Sequence, residues 1–169
     1  SWTPSVSDTW QIILSHPPVI SSSDTSTTPN VSIFDIDLFD TSVETIRSLH
    51  SMGKKVICYF SAGSYEDWRP DAGKFEKVDL GHDLDGWPGE KWLELGSQNV
   101  RRIMKDRINM AKEKGCDGVD PDNVDAYVST KSPYYQSNHA YADVDTSKTI
   151  MAFPSPRTIQ YPTSNISLV

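Results

Sequence analysis

Two cysteines, Cys58 and Cys116, are too few for a disulfide framework to be read from their count. Each falls in or beside an expected strand; they pair if those strands are neighbours, and otherwise stand as buried free thiols. Positive charge is also scarce, with 16 Lys and Arg against 23 Asp and Glu and a net charge of −7. No basic cluster with interleaved aromatics occurs, which argues against a nucleic-acid partner. An acidic field instead suits a cationic or neutral ligand, although modest acidity also serves solubility. No apolar run approaches membrane-spanning length, so no membrane insertion is expected. The start at Ser1 shows no basic and apolar leader, as expected of a chain whose signal peptide has been removed or was never present. A glycine-rich strand-to-helix turn is missing too, which weakens a doubly wound nucleotide or phosphate protein as a reading.

What is there has the composition of a soluble globular domain: 37% hydrophobic and 23% charged residues over 169 positions, enough for one domain with a core. Trp10 to Leu14 is a short candidate strand, stopped by His16-Pro17-Pro18, and residues 21 to 30 read as a loop of Ser, Thr, Asp and Pro. Val31 to Phe39 is a second strand, with Asp35 and Asp37 on one face. A helix follows, for which Thr41 and Glu44 fit a capping box, Ile46 and Leu49 share the apolar side, and Gly53 supplies the stop. Val56 to Phe60 is an unbroken apolar run of the kind found in a strand covered on both faces, so the unit is β-α-β with parallel pairing as the expectation.

Residues 61 to 96 carry Trp68, Trp87 and Trp92 with little apolar periodicity, which predicts a lid or binding loop. Its tryptophans either stack on sugar rings or form a small satellite core. Ser97 then caps a helix to Lys114, and Arg107 inside its apolar arc is expected to snorkel at the rim rather than form a buried ion pair.

Gly115 ends that helix and opens the most acidic stretch, Gly-Cys-Asp-Gly-Val-Asp-Pro-Asp-Asn-Val-Asp-Ala-Tyr at 115 to 127. Alternation along a strand puts Asp120 and Asp122 on one face, with Val119 and Pro121 on the other. Proline removes a ladder donor, so the acids are expected at the strand's C-terminal mouth, where α/β folds place their chemistry. Asp122 or Asn123 as a simple turn cap is the bland alternative. A calcium loop fails on detail, because Val124 stands at the third ligand position and both the turn glycine and the distal glutamate are missing.

Four phrases occur in order within Trp2 to Tyr127: Phe-Asp-Ile-Asp-Leu-Phe-Asp at 34 to 40, Val-Ile-Cys-Tyr-Phe-Ser-Ala-Gly-Ser-Tyr-Glu-Asp-Trp-Arg-Pro-Asp at 56 to 71, Trp-Pro-Gly-Glu-Lys-Trp-Leu at 87 to 93, and the acidic phrase itself. Together they resemble the endo-α-1,4-polygalactosaminidases, glycoside hydrolase family 114. The resemblance implies a secreted α/β protein of the (β/α)8 TIM-barrel type. It implies endo-acting hydrolysis of an α-1,4-linked galactosamine polymer, the cationic galactosaminogalactan-type exopolysaccharide, without metal or other cofactor. Carried over by position, Asp122 is implied as a catalytic carboxylate. Asp35, Asp37, Tyr59, Ser61, Glu66, Arg69, Trp92, Asp120 and Asn123 are implied to line the substrate cleft.

Two carboxyl groups must flank the glycosidic oxygen, one donating a proton while the other attacks the anomeric carbon or activates water. The family's partner is a glutamate on a later strand. The chain departs from the pattern near Lys131, so residues 1–130 are expected to form the first four β/α units of an incomplete barrel and 131–169 an atypical tail. A monomer is expected. The competing reading is a catalytically inactive carbohydrate-binding fragment.

Overall fold

The computed structural model describes residues 2–21, 23–127 and 151–152, so the expected tail lies outside the described residues except for Met151 and Ala152. In chain order the elements are β1 (Trp10–Ile13), β2 (Ile33–Asp37), α1 (Val43–Ser51), β3 (Lys55–Ser61), β4 (Ser64–Glu66), β5 (Leu80–Asp83), β6 (Glu90–Leu93), α2 (Gln98–Lys114), β7 (Gly118–Asp122) and β8 (Met151–Ala152). The described residues divide into two compact units, one of residues 2–21, 23–60, 109–120 and 151–152, the other of 61–108 and 121–127.

The first unit is α/β. Its sheet has the order β1-β2-β3-β7-β8, with β1, β2 and β3 parallel and β8 antiparallel to β7. Every residue of β2 is buried, and so are Val56, Ile57, Cys58 and Phe60 of β3, as the unbroken apolar run predicts. Helix α1 buries Ile46 and Leu49, each contributing about 1.5–3 kcal/mol by removal from water. Its cap is Ser42 rather than the expected Thr41: the Ser42 hydroxyl accepts from the Thr45 amide at 3.1 Å, and Thr41 is buried. Two adjacent hydroxyl residues fit the same signal, and the one with extended backbone takes the position. Gly115 follows α2 with φ +93°, a left-handed conformation that a side chain would strain.

Cys58 and Cys116 form a disulfide, with Cα atoms 6.0 Å apart, resolving the choice left open by the sequence. Closing a loop over 58 positions removes chain entropy from the unfolded state, worth on the order of 4 kcal/mol in that account.

Asp117, just before β7, ties this unit together. Its carboxylate accepts from Lys55 Nζ at 2.7 Å, His50 Nε2 at 2.8 Å and the Val56 amide at 3.0 Å, while its own amide donates to the Val56 carbonyl at 2.7 Å. Burial alone would raise its pKa, but the hydrogen bonds from Lys55, Val56 and His50 together outweigh burial and hold it below the usual value. A carboxyl whose pKa falls on folding stabilises the native state above its unfolded pKa, and that contribution disappears as pH drops through the folded value. Asp117→Ala is therefore expected to lower stability at pH 7 by about 1–3 kcal/mol and to flatten the loss of stability below about pH 4. Urea midpoints measured from pH 7 to pH 2.5 check both parts. An unchanged acid slope sinks the assignment.

The second unit corrects the expectation of a loop across residues 61 to 96. It holds an antiparallel sheet of order β4-β6-β5, with Ser64 opposite Trp92 and Leu80 opposite Leu93. Strands of three and four residues are too short to show alternation in the sequence. Trp92 is buried within it at 8% exposure, whereas Trp68 and Trp87 are exposed at 53% and 63%. Ser97 caps α2 as expected, its hydroxyl accepting from the Asn99 amide at 3.1 Å. The same hydroxyl donates to buried Asp79 at 2.6 Å.

Arg107 is also a correction. It is 0% exposed, not at a rim: Nε and Nη2 donate to the two carboxylate oxygens of Asp71, each at 2.9 Å, and Nη1 donates to the Ser61 carbonyl at 2.7 Å. A guanidinium fork that meets both oxygens of one carboxylate is what allows a cation to sit inside an apolar arc.

Candidate active site

In the first unit, Asp35 and Asp37 lie on β2, Tyr59 on β3 opposite Asp37, and Asp120 on β7. The Asp37 carboxylate accepts from the Phe39 and Asp40 amides at 2.8 and 3.0 Å, so it shapes the turn leaving the strand. That turn is held a second time by Lys114, whose ammonium donates to the carbonyls of Leu38, Phe39 and Thr41 at 2.7, 3.1 and 2.8 Å. Burial pushes the Lys114 pKa down, with Asp37 and Asp40 pulling it back. Asp120 is half-buried.

The second unit gathers Ser61, Glu66, Arg69, Trp92, Asp122 and Asn123. Asp122 is the last residue of β7 and is exposed, while Val119 and Pro121 on the other face of the strand are buried, as alternation predicts. Its backbone carbonyl accepts from the amides of Ala62 and Gly63 at 2.8 and 3.2 Å, and its carboxylate Oδ1 accepts from the Asn123 amide at 2.8 Å. Asn123 takes a left-handed φ of +58° and begins the turn into the 3-10 segment Val124–Tyr127, through its carbonyl and the Ala126 amide. The asparagine amide then reaches inward, Nδ2 donating to the hydroxyls of Ser61 at 2.9 Å and Ser64 at 3.3 Å.

Glu66 and Arg69 are committed to each other, both buried, with Arg69 Nη2 2.9 Å from Glu66 Oε1. Burial raises the Glu66 pKa, against the pull of Arg69 and Arg107. Among the described residues no group of three or more His, Cys, Asp or Glu is placed to hold a metal ion. The structure also adds participants that the sequence did not single out. Gly63 lies in the short turn between β3 and β4, Ser64 opens β4, and Asp71 is the partner of Arg107. An arginine inside an apolar helical arc was the available signal for the last; nothing local marks Ser64.

The fold is shared with solved glycoside hydrolases. The chain matches the Aspergillus fumigatus Ega3 structure, determined in complex with galactosamine, at 56% identity and a TM-score of 0.70 over 79% of this chain and 51% of that one. The glycoside hydrolase domain of PelA from Pseudomonas aeruginosa matches at 12% identity and a TM-score of 0.58 over 71% of this chain and 46% of that domain, a likeness of fold alone. No curated protein matches. Residues 1–152 match the sequence pattern of glycoside-hydrolase family GH114. The chain belongs to that family, and it spans about half the length of the solved relatives it matches.

Proposed function

We propose that this chain is an endo-acting α-1,4-galactosaminidase with Asp122 as a catalytic carboxylate, in a (β/α)8 barrel of which residues 1–130 furnish the first units. The observation that carries the reading is the exposed carboxylate of Asp122 at the C-terminal end of β7, in a chain 56% identical to a protein solved with galactosamine bound. In such a site Asp122 acts at the glycosidic oxygen or the anomeric carbon, and a second carboxyl on the opposite side of the bond completes the acid and base or nucleophile pair. A galactosamine polymer carries protonated amines, and the chain's net charge of −7 favours its approach. The disulfide between Cys58 and Cys116 suits an oxidising, extracellular setting, and no described helix is long and apolar enough to cross a membrane. Secretion and a monomeric state belong to the same proposal.

Asp122→Asn keeps the shape and the Asn123 contact geometry while removing the ionisable group. It is expected to lower the release of reducing ends from de-N-acetylated galactosamine polymer by about 10²–10⁴-fold. Undiminished turnover by Asp122→Asn would remove Asp122 from the chemistry. Polymer binding without any cleavage by the unsubstituted chain would instead favour a carbohydrate-binding fragment.

A further inference from the structure

The buried hydroxyls beneath Asn123 form a chain with only one consistent direction. Ser64 is wholly buried and its hydroxyl donates to Glu90 Oε2 at 2.7 Å, so its single hydrogen is used there. Ser61 and Ser64 are 2.6 Å apart, Oγ to Oγ, and with the Ser64 hydrogen committed to Glu90 the donor between them must be Ser61. Neither serine has a hydrogen left. Ser61 Oγ also receives the Ser64 amide at 3.1 Å, which leaves it an acceptor toward everything else. Asn123 must therefore present Nδ2 to both serines, at 2.9 and 3.3 Å, because an inverted amide would set its carbonyl oxygen against two oxygens without protons.

We propose that Ser64 and Glu90 are positioning residues that lock the Asn123 amide with Oδ1 as the acceptor for a hydroxyl or ammonium group of the sugar bound beside Asp122. The carboxylate at 90 sets the direction, Ser64 and Ser61 transmit it, and Asn123 displays the result one residue from Asp122, whose own carboxylate accepts from the Asn123 backbone N–H. The inference rests on the hydrolase reading for its substrate, but the hydrogen-bond direction is a property of the chain itself.

Glu90→Gln tests it with little change of shape. A glutamine can donate to Ser64 Oγ, which releases the Ser64 hydrogen, lets Ser64 donate to Ser61 and Ser61 donate toward Asn123, and so allows the Asn123 amide to turn over. The expected result is a fall in kcat/KM on galactosamine polymer of about tenfold to a hundredfold, with the thermal midpoint little changed. The Asn123 side-chain NH2 resonances should shift and lose their protection from exchange. Ser64→Ala, the second variant, should do the same by cutting the chain. Asp122→Asn should lower turnover by about 10²–10⁴-fold yet leave those resonances in place. If the unsubstituted chain is active, Asp122→Asn is impaired to that extent, and Glu90→Gln keeps both its kcat/KM and its Asn123 resonances, the positioning role is overturned while the hydrolase reading stands. If the unsubstituted chain leaves the polymer intact, the hydrolase reading fails, and calorimetry with a galactosamine oligosaccharide decides the inference: weaker binding by Glu90→Gln supports it, and equal or absent binding overturns it.

Discussion

Arg107→Leu is expected to destabilise the protein by about 3–5 kcal/mol, a large share of the roughly 5–15 kcal/mol that holds a domain folded. The guanidinium satisfies both oxygens of Asp71 and the Ser61 carbonyl, and Nη1 also lies 3.9 Å from Glu66 Oε2. Its removal leaves the Asp71 carboxylate in a site only 7% exposed, without the guanidinium that meets both of its oxygens. Glu66, whose pKa burial already raises, loses one of its two positive neighbours and is driven further toward the neutral form. Removing one member of a buried pair costs more than removing both, because the penalty lies in the stranded charge. The double variant Arg107→Leu, Asp71→Leu should therefore recover most of the loss, and urea midpoints of the two variants measure the difference. Equal destabilisation in both would mean that shape, not charge, keeps the arginine there. Arg107→Lys should fall between, since a lysine cannot meet two oxygens and a carbonyl in one plane.

Gly63→Ala is the second large effect. A Cβ at this position would stand 1.8 Å from the Asn123 carbonyl oxygen, 2.8 Å from its carbon and 2.9 Å from the Ala126 Cβ. The nearest two atoms are backbone and cannot rotate away, so the turn between β3 and β4 must separate from the end of β7. With it go the two amide bonds onto the Asp122 carbonyl and the seating of the Asn123 amide on Ser61 and Ser64. The expected cost is about 1–3 kcal/mol in stability, the usual range for forced overpacking. Turnover should fall by about a hundredfold, since misplacing a reacting group by an ångström has that effect. Gly73→Ala is the control: a Cβ there meets nothing within 4 Å, and its stability should stay within about 0.5 kcal/mol of the parent. If the two alanine variants behave alike in a thermal melt and a reducing-end assay, the close approach at Gly63 has no consequence.

The parts of this fold that could be read in advance are those whose signals are local. A buried strand announces itself by an unbroken apolar run, and Val56 to Phe60 is one; a helix does so by its cap and stop, as Ser97 and Gly115 do. The placement of Asp122 at a strand end followed from Pro121 and from alternation. What failed depends on partners distant in the chain. Arg107 looks like a surface arginine until Asp71, 36 positions away, is brought beneath it. The link from Asn123 to Ser64 spans 59 positions and the next, from Ser64 to Glu90, spans 26, and neither has a periodicity that a window of sequence could show. The small sheet of β4, β5 and β6 was hidden for another reason, since its strands are shorter than the pattern needed to recognise them.

The bond between Cys58 and Cys116 encloses in sequence every residue from 59 to 115, among them β4, β5, β6 and all of α2. A single backbone break anywhere in that span, the exposed Trp68 and Trp87 segments included, leaves one covalent molecule rather than two pieces. The surface that carries the short strands can thus be nicked without the flanking chain on either side drifting apart.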